Sequence, residues 1–251
     1  MVEIFLEGVA KSFLLNGTSL PVLDNVSLQV LEGEFVSLIG PSGCGKSTLF
    51  NIICGLTAPD RGRVLLGDQY GVPAGEVVAY MPQKDLLLPW RTVLDNVILA
   101  RRAVGRDRIA VQHEARELMP LFGLAGFENC YPAELSGGMR QRAALMRTVL
   151  ARRRVLLLDE PLGALDAITR TRMQQWLLKV WNNFKQAVLF VTHDIDEAIF
   201  LSDRVYVLTP RPARVCMHLP VRLPRPRRAE LFTAPDFLAL KRKIMCALQV
   251  K

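Results

Sequence analysis

Apolar residues in the first 40 positions fall into short strand-like segments separated by turn signals. Glu3 to Leu6, Val26 to Val30 and Phe35 to Ile39 read as strands, with Asn16-Gly17 and Glu32-Gly33 as turns. The third segment runs into a glycine-rich loop. A helix is predicted from about Gly45 through Thr48, Phe50 and Ile53, stopping at Gly55, because glycine takes the left-handed conformation that closes helices. Arg63 to Leu66 and Val77 to Tyr80 are further short strands. After Pro89 the pattern is helical from Thr92 to about Arg153. Pro120 and Pro132 are read as breaks, since proline lacks the N–H that a helix interior needs.

The second half alternates more regularly. Val155 to Asp159 is a buried strand, and Met173, Trp176, Leu177, Val180, Trp181 and Phe184 recur at the spacing of one helix face. A strand over Ala187 to Val191, a short helix near Asp196 to Leu201 and a strand over Arg204 to Leu208 follow. Strand, helix and strand in this rhythm imply βαβ units and a mainly parallel sheet, with 92–153 as a helical insertion. No internal repeat is visible. Beyond Pro210, Arg211, Arg214, Arg222, Arg225, Arg227 and Arg228 sit among prolines. The remaining stretch of about 40 residues is short for an ordinary extra domain. It reads as a basic solvated extension, with a lipid-headgroup or partner contact as the alternative.

Composition narrows the class. Half of the 251 residues are apolar, enough for a sizeable core, so disorder as the main state is excluded. The net charge of +8 would suit nucleic acid or an anionic membrane and chooses neither. Cys44, Cys54, Cys130, Cys216 and Cys246 are scattered, odd in number and without a CxxC pair, which fits a reducing cytosol better than a disulfide framework or a zinc site. The N-terminal residues lack a basic segment followed by an apolar one, so no signal peptide is expected. No apolar run approaches the roughly 20 residues that cross a bilayer. If the protein works at a membrane, another chain does the spanning.

Two stretches carry chemistry. Residues 40–47 read GPSGCGKS, between a strand and a helix, and match G-x-x-x-x-G-K-[ST]. Glycines 40, 43 and 45 let backbone amides converge on phosphate oxygens, and the helix N-terminus adds partial positive charge. Lys46 would reach the β and γ phosphates, and Ser47 would supply a hydroxyl to Mg²⁺. Val155 to Glu160 reads VLLLDE, a buried strand delivering Asp159 to hold Mg²⁺ and Glu160 to orient or deprotonate the attacking water. Taken alone, Asp159 and Glu160 would be two solvated acids at a strand end.

Leu135 to Gln141, LSGGMRQ, precedes that strand. With GPSGCGKS it resembles the nucleotide-binding subunits of ABC transporters over about residues 3 to 209. Met139 stands in the fifth place of the family's LSGGQ signature. The resemblance implies an α/β P-loop NTPase (RecA-like) core with a mainly parallel sheet, an antiparallel β subdomain and an inserted α-helical subdomain. Residues 1–88 and 154–210 would form the core with its β subdomain, 89–153 the helical part with the signature, and 211–251 the extension. ATP and Mg²⁺ are the implied ligands. Gly40, Pro41, Ser42, Gly43, Cys44, Gly45, Lys46, Ser47 and Thr48 would cradle the phosphates, and Phe13 would stack on adenine. Ser47, Gln83 and Asp159 would serve the metal; Glu160, His193, Gln83 and Lys46 the reaction. The turn Gly163 to Asp166, GALD, resembles the family's SALD, with Gly163 in place of serine. Without the motif context Phe13 would read as core, Gln83 as a solvated loop residue and His193 as an unremarkable histidine; His113 and His218 read as surface residues.

Ser136, Gly137 and Gly138 fall at a predicted helix N-terminus, a second anion site. One chain's phosphate loop and a second copy's signature would then clamp the same γ-phosphate, two subunits holding two ATP head-to-tail. Leu86 to Trp90, LLLPW, offers an apolar and aromatic patch where this family docks its membrane partner, and is similar to the importers of nitrate, sulfonates, taurine and thiamine-precursor pyrimidines. The expectation is an importer subunit bound peripherally to the cytoplasmic face of the membrane. Its partners would be a permease near Leu86 to Trp90, a second copy of itself and, indirectly, a solute-binding protein, with no nucleic acid. The alternative is a soluble ABC ATPase acting on nucleic acid or ribosomes, though such proteins resemble tandem cassettes or carry a long coiled coil. Cys44, near a helix N-terminus, is expected either as a reactive thiol of lowered pKa that ATP protects or as a small filler.

Overall fold

The computed structural model describes residues 1–67, 73–163 and 167–249. Its first element pair grows from the Asn16-Gly17 turn. Both residues have positive φ, 51° and 78°, and a two-residue loop of that kind matches the twist of an antiparallel hairpin. The turn joins β1 (Val2–Leu15) to β2 (Thr18–Leu31), with Leu15 opposite Thr18. Both strands are much longer than the short apolar segments predict. In β2 only Val26, Leu28 and Val30 alternate cleanly with outward polar residues, and toward the turn the hairpin faces solvent.

β3 (Phe35–Ile39) is buried throughout and leads through the glycine-rich loop into α1 (Lys46–Ile53), which is followed by Gly55 at φ 72°. β4 (Arg61–Leu66) pairs antiparallel with β1, completing a three-stranded sheet of order β2-β1-β4. The short α2 (Ala74–Val77) opens directly into β5 (Val78–Met81). Helices α3 (Val93–Val97), α4 (Leu99–Ala103), α5 (Arg108–Phe122) and α6 (Gly137–Leu150) form the inserted layer.

Pro120 does not break α5, contrary to the expectation. It lies in the last turn, where only Leu121 and Phe122 follow it in the helix, and the helix ends instead at Gly123, whose φ of 63° lets Leu124 N–H reach back to Met119 O at 2.9 Å. Pro132 opens a single 3₁₀ turn over 132–134, a first-turn position that suits proline.

The α/β core follows with β6 (Val155–Asp159), α7 (Ala167–Phe184), β7 (Ala187–Thr192), α8 (Ile195–Leu201) and β8 (Arg204–Leu208). β5, β6, β7, β3 and β8 are parallel neighbours in that order, as the strand–helix alternation predicts. β3, β6 and β7 are covered on both faces, which is why they read as unbroken apolar runs. Their carboxyl ends lie side by side, and that edge carries the candidate chemistry.

The stretch after Pro210 is not a solvated extension. β9 (Val215–Pro220) adds an antiparallel edge to β8, Val221 and Leu223 enter the main core, and α9 (Pro235–Gln249) seats Phe237 and Ile244 there. Phe232 stacks on Phe200 of α8 at 4.8 Å between ring centres. Arg227 is buried, its Nη1 donating to Ile199 O and Phe200 O at 2.9 Å each; burial, then the charge of Arg225, lowers its pKa to about 10. Arg225 pairs with Asp203 at 2.7 Å and lies over the Trp181 ring. The arginine- and proline-rich composition hid a half-buried strand whose inward residues are only partly covered.

Candidate functional site

The phosphate loop owes its shape to residues without Cβ. Gly43 and Gly45 have φ of 73° and 124°, and a Cβ on Gly45 would stand 2.9 Å from the Val22 and Leu23 side chains. Gly45 is also the N-cap of α1 and offers no side-chain acceptor, so the first amides of α1 are left for a ligand. Lys46 is buried and donates to Gly40 O at 2.8 Å and Pro41 O at 3.1 Å. An open cavity of about 520 Å³ lies against this loop and brings together Phe13, Ser42, Gly43, Gly45, Lys46, Ser47, Thr48, Gln83 and Glu160. Phe13 is 42% exposed, so its ring is an open platform rather than core.

At the end of β6, Asp159 is buried and Ser47 Oγ donates to its Oδ2 at 3.2 Å. Tyr80, which the sequence reading took only as a strand residue, donates its hydroxyl to the same oxygen at 3.3 Å. Burial raises the pKa of Asp159 while the Ser47 and Tyr80 hydrogen bonds oppose it; burial and the neighbouring Asp159 push Tyr80 well above the ordinary phenol value. Among the described residues no three His, Cys, Asp or Glu side chains gather as a metal cage. One carboxylate and one hydroxyl beside a phosphate loop is nonetheless a donor set that suits Mg²⁺, which takes its remaining oxygens from phosphate and water.

Glu160 turns away from the strand with φ 46°, its N–H held by Val191 O at 2.9 Å. A non-glycine residue in this region is strained and persists only where its surroundings over-determine it. The turn points the carboxylate at two partners: Gln83 Nε2 donates to Oε2 at 3.2 Å, and His193 Nδ1 stands 3.3 Å from the same oxygen. Gly163 N–H donates to Glu160 O at 3.1 Å and closes the turn, and a Cβ at 163 would make only ordinary contact with it. Ala164, Leu165 and Asp166 of the GALD turn lie outside the described residues.

Ser136, Gly137 and Gly138 are not brought to this cavity. Ser136 caps α6, its Oγ accepting from Met139 N at 3.3 Å. Gly137 lines a different cleft, shared with Gln83, Asp85, Leu86 and Arg140, and Ser136 and Gly138 flank it on the same helix end. Leu86 and Trp90 project outward, Trp90 at 72% exposure, while Leu87 is buried. The loop between them is braced from inside. Asn96, wholly buried, accepts from Leu88 N and donates to the carbonyls of Leu88, Arg91 and Thr92, and Arg147 donates to the carbonyls of Asp85 and Leu86.

Cys44 corrects an expectation. It is 2% exposed, packed against Gly40 in the core beneath the loop, and burial raises its thiol pKa despite the nearby Lys46. The filler reading holds. In the folded chain at neutral pH, thiol reagents should modify the exposed Cys216 and Cys246 and leave Cys44 untouched, as read by mass spectrometry of the labelled peptides. Labelling of Cys44 at the rate of Cys216 would contradict this.

The chain matches the family described as ABC transporter over residues 23–163. It is 43% identical over 251 residues to an uncharacterized ABC transporter ATP-binding protein of Methanocaldococcus jannaschii, covering 99% of this chain and 92% of that protein. It is 39% identical to the aliphatic sulfonates import ATP-binding protein SsuB of Bacillus cereus, covering 97% and 95%. It is 44% identical to the formylaminopyrimidine import ATP-binding protein ThiZ of Halalkalibacterium halodurans, covering 84% and 82%. Among solved structures, a dimeric bacterial ABC transporter cassette superposes with a TM-score of 0.77 at 31% identity, over 88% of this chain and 99% of the cassette. A dimeric post-hydrolysis cassette bound to ADP and Pi gives 0.75 at 30%, with the same coverage.

Proposed function

The chain belongs to the ABC transporter ATP-binding family, and from that premise we propose that it is the ATP-hydrolysing subunit of an importer, working as a head-to-tail pair. The carrying observation is the convergence of Gln83 and His193 on the Glu160 carboxylate above the phosphate loop, while the Ser136 end of α6 faces elsewhere. Loop amides and Lys46 would hold the phosphates, and Ser47 and Asp159, with Gln83, would hold Mg²⁺. The ion, when bound, offsets charge that builds on the phosphate oxygens. Glu160 accepts the proton of the attacking water, Gln83 and His193 fix its carboxylate, and His193 also reaches the terminal phosphate. A second copy supplies Ser136, Gly137 and Gly138 as a further anion site. Binding closes the pair and hydrolysis opens it, a switch biased by ligand.

The exposed Leu86 and Trp90, on a loop braced by Asn96 and Arg147, support a permease docking there. No helix among the described residues is long and apolar enough to cross a membrane; docked on a membrane-spanning permease, the subunit would sit peripherally on the cytoplasmic face. Names of the relatives point to a small sulfonate-type or thiamine-precursor solute, recognised by other chains including a solute-binding protein. Purification of the tagged chain from gently solubilised membranes tests this: a permease should co-purify. The pair Leu86→Ser and Trp90→Ala should cut the permease recovered at least about tenfold, the loss expected for a buried aromatic anchor. Recovery equal to the parent chain, or ATP turnover driven by nucleic acid instead of membranes, would overturn the assignment.

A further inference from the structure

One cation at the phosphate cavity comes from the C-terminal stretch. Arg211 lines the same cavity as Ser42, Gly43 and Lys46, with its Nη2 2.9 Å from where a Gly43 Cβ would stand. Gly43 is required by its positive φ, and the end of the Arg211 side chain lies directly against it. The charge of Arg211 is felt inside the loop, where it acts on the Cys44 thiol.

The backbone that carries Arg211 is firmly placed. Thr209 N donates to Arg214 O at 2.9 Å, and Arg214 N returns a bond to Thr209 Oγ1 at 2.9 Å. Ala213 N donates to Val22 O and Asp24 N to Ala213 O, at 2.9 Å each, stitching the turn to β2. Val22 and Leu23 of that strand are the side chains that press on Gly45. The turn's other arginine is spent on this anchoring, since Arg214 forms an ion pair with Asp24. Arg211 has no carboxylate within ion-pair distance and no hydrogen-bond acceptor among the described residues. A cation held beside a phosphate loop and left without an anion is matched by phosphate chemistry, and a planar guanidinium can donate two parallel bonds to it.

We propose that Arg211 is a nucleotide-binding residue that donates to the phosphate oxygens of the bound nucleotide, a second cation beside Lys46. This rests on the nucleotide-binding reading above. Because the turn is already anchored, little backbone freedom is lost when the side chain engages.

The experiment is displacement of a fluorescent ATP analogue from the isolated chain by ATP and, separately, by inorganic tripolyphosphate, which has neither base nor ribose. The parent chain must first be displaced by ATP; failure there would refute the nucleotide-binding reading itself rather than the role of Arg211. Given parent binding, Arg211→Ala should weaken both competitors by about tenfold, the loss expected for one partly exposed charge-assisted contact. Arg211→Lys should recover part of it, since it keeps the charge and loses the fork. Affinities within twofold of the parent for both competitors would overturn the proposal. So would weakened ATP with unchanged tripolyphosphate, which would place Arg211 on the base side or in a structural role, and so would equal losses in Arg211→Ala and Arg211→Lys alongside a lowered melting temperature.

Discussion

Glu160→Gln lowers steady-state ATP turnover by about 10²- to 10⁴-fold, the range for removing a general base, while the variant still binds ATP. The substitution is nearly isosteric and leaves an oxygen for the Gln83 amide, now 3.2 Å from Oε2. What disappears is the negative charge that can take a proton from water, and with it the attraction to His193. The strained backbone at this position is set by Val191 O and Gly163 rather than by the carboxylate, so the turn should survive. With hydrolysis blocked, the closed pair should accumulate, and light scattering with ATP and Mg²⁺ should report twice the monomer mass. Phosphate release at the parent rate would remove Glu160 from its assigned role. A chain that stays monomeric at every concentration, and inside its full complex as well, would remove the head-to-tail pair.

The second large effect concerns pH. Glu197 is buried in α8 and accepts a hydrogen bond from Thr192, which precedes His193; its own N–H is capped by Asp194 at 3.0 Å. Burial above all, with Asp194 adding, raises its carboxyl from the ordinary 4.5 to about 7, against the pull of Thr192, Gln174 and Arg170. The folded chain therefore keeps a proton that the unfolded chain releases. The stability this confers is full below about 4.5, falls as pH rises through the interval, and is gone above 7. The interval corresponds to a swing on the order of 3 kcal/mol. Glu197→Gln keeps a carbonyl for Thr192 and has no proton to lose. Urea unfolding at pH 5 and pH 8 should show the parent losing more stability across the interval than the variant, by about that amount. Parallel slopes would mean that Glu197 titrates as an ordinary surface acid.

Much of the sheet was legible because a parallel strand covered on both faces leaves little choice of composition. Val155 to Asp159 and Arg204 to Leu208 fall on strands with those bounds. The phosphate loop was legible for a different reason, since amides can converge on an anion only where glycine permits it. The errors share a cause. Pro120 was judged by its type, whereas its place in the last helical turn decided its effect. Cys44 was judged by its nearness to a helix start, whereas the direction of its side chain into the core decided its pKa. Tyr80 and Arg211 were passed over because their relation to the site is purely spatial: Tyr80 sits one strand away from Asp159, and Arg211 follows β8, the strand beside β3, on a turn whose composition resembled a tail. A signal existed in the second case. The strand-like alternation of residues 215–220 would have folded the chain back onto β8 and kept the arginine-rich turn at the sheet edge.

The bracing of the Gln83 to Trp90 stretch has a mechanical consequence. One end of this short span touches the Glu160 carboxylate and the other presents an indole to the outside. Between them Arg147 pins two carbonyls and Asn96 pins the next bend, so slack is absent along its length. A span without slack behaves as a pushrod. Under the proposed cycle, a shift of Gln83 on hydrolysis would be carried along this span to Trp90 and, through Arg147, to α6, so that one part would time both the docking patch and the Ser136 helix end.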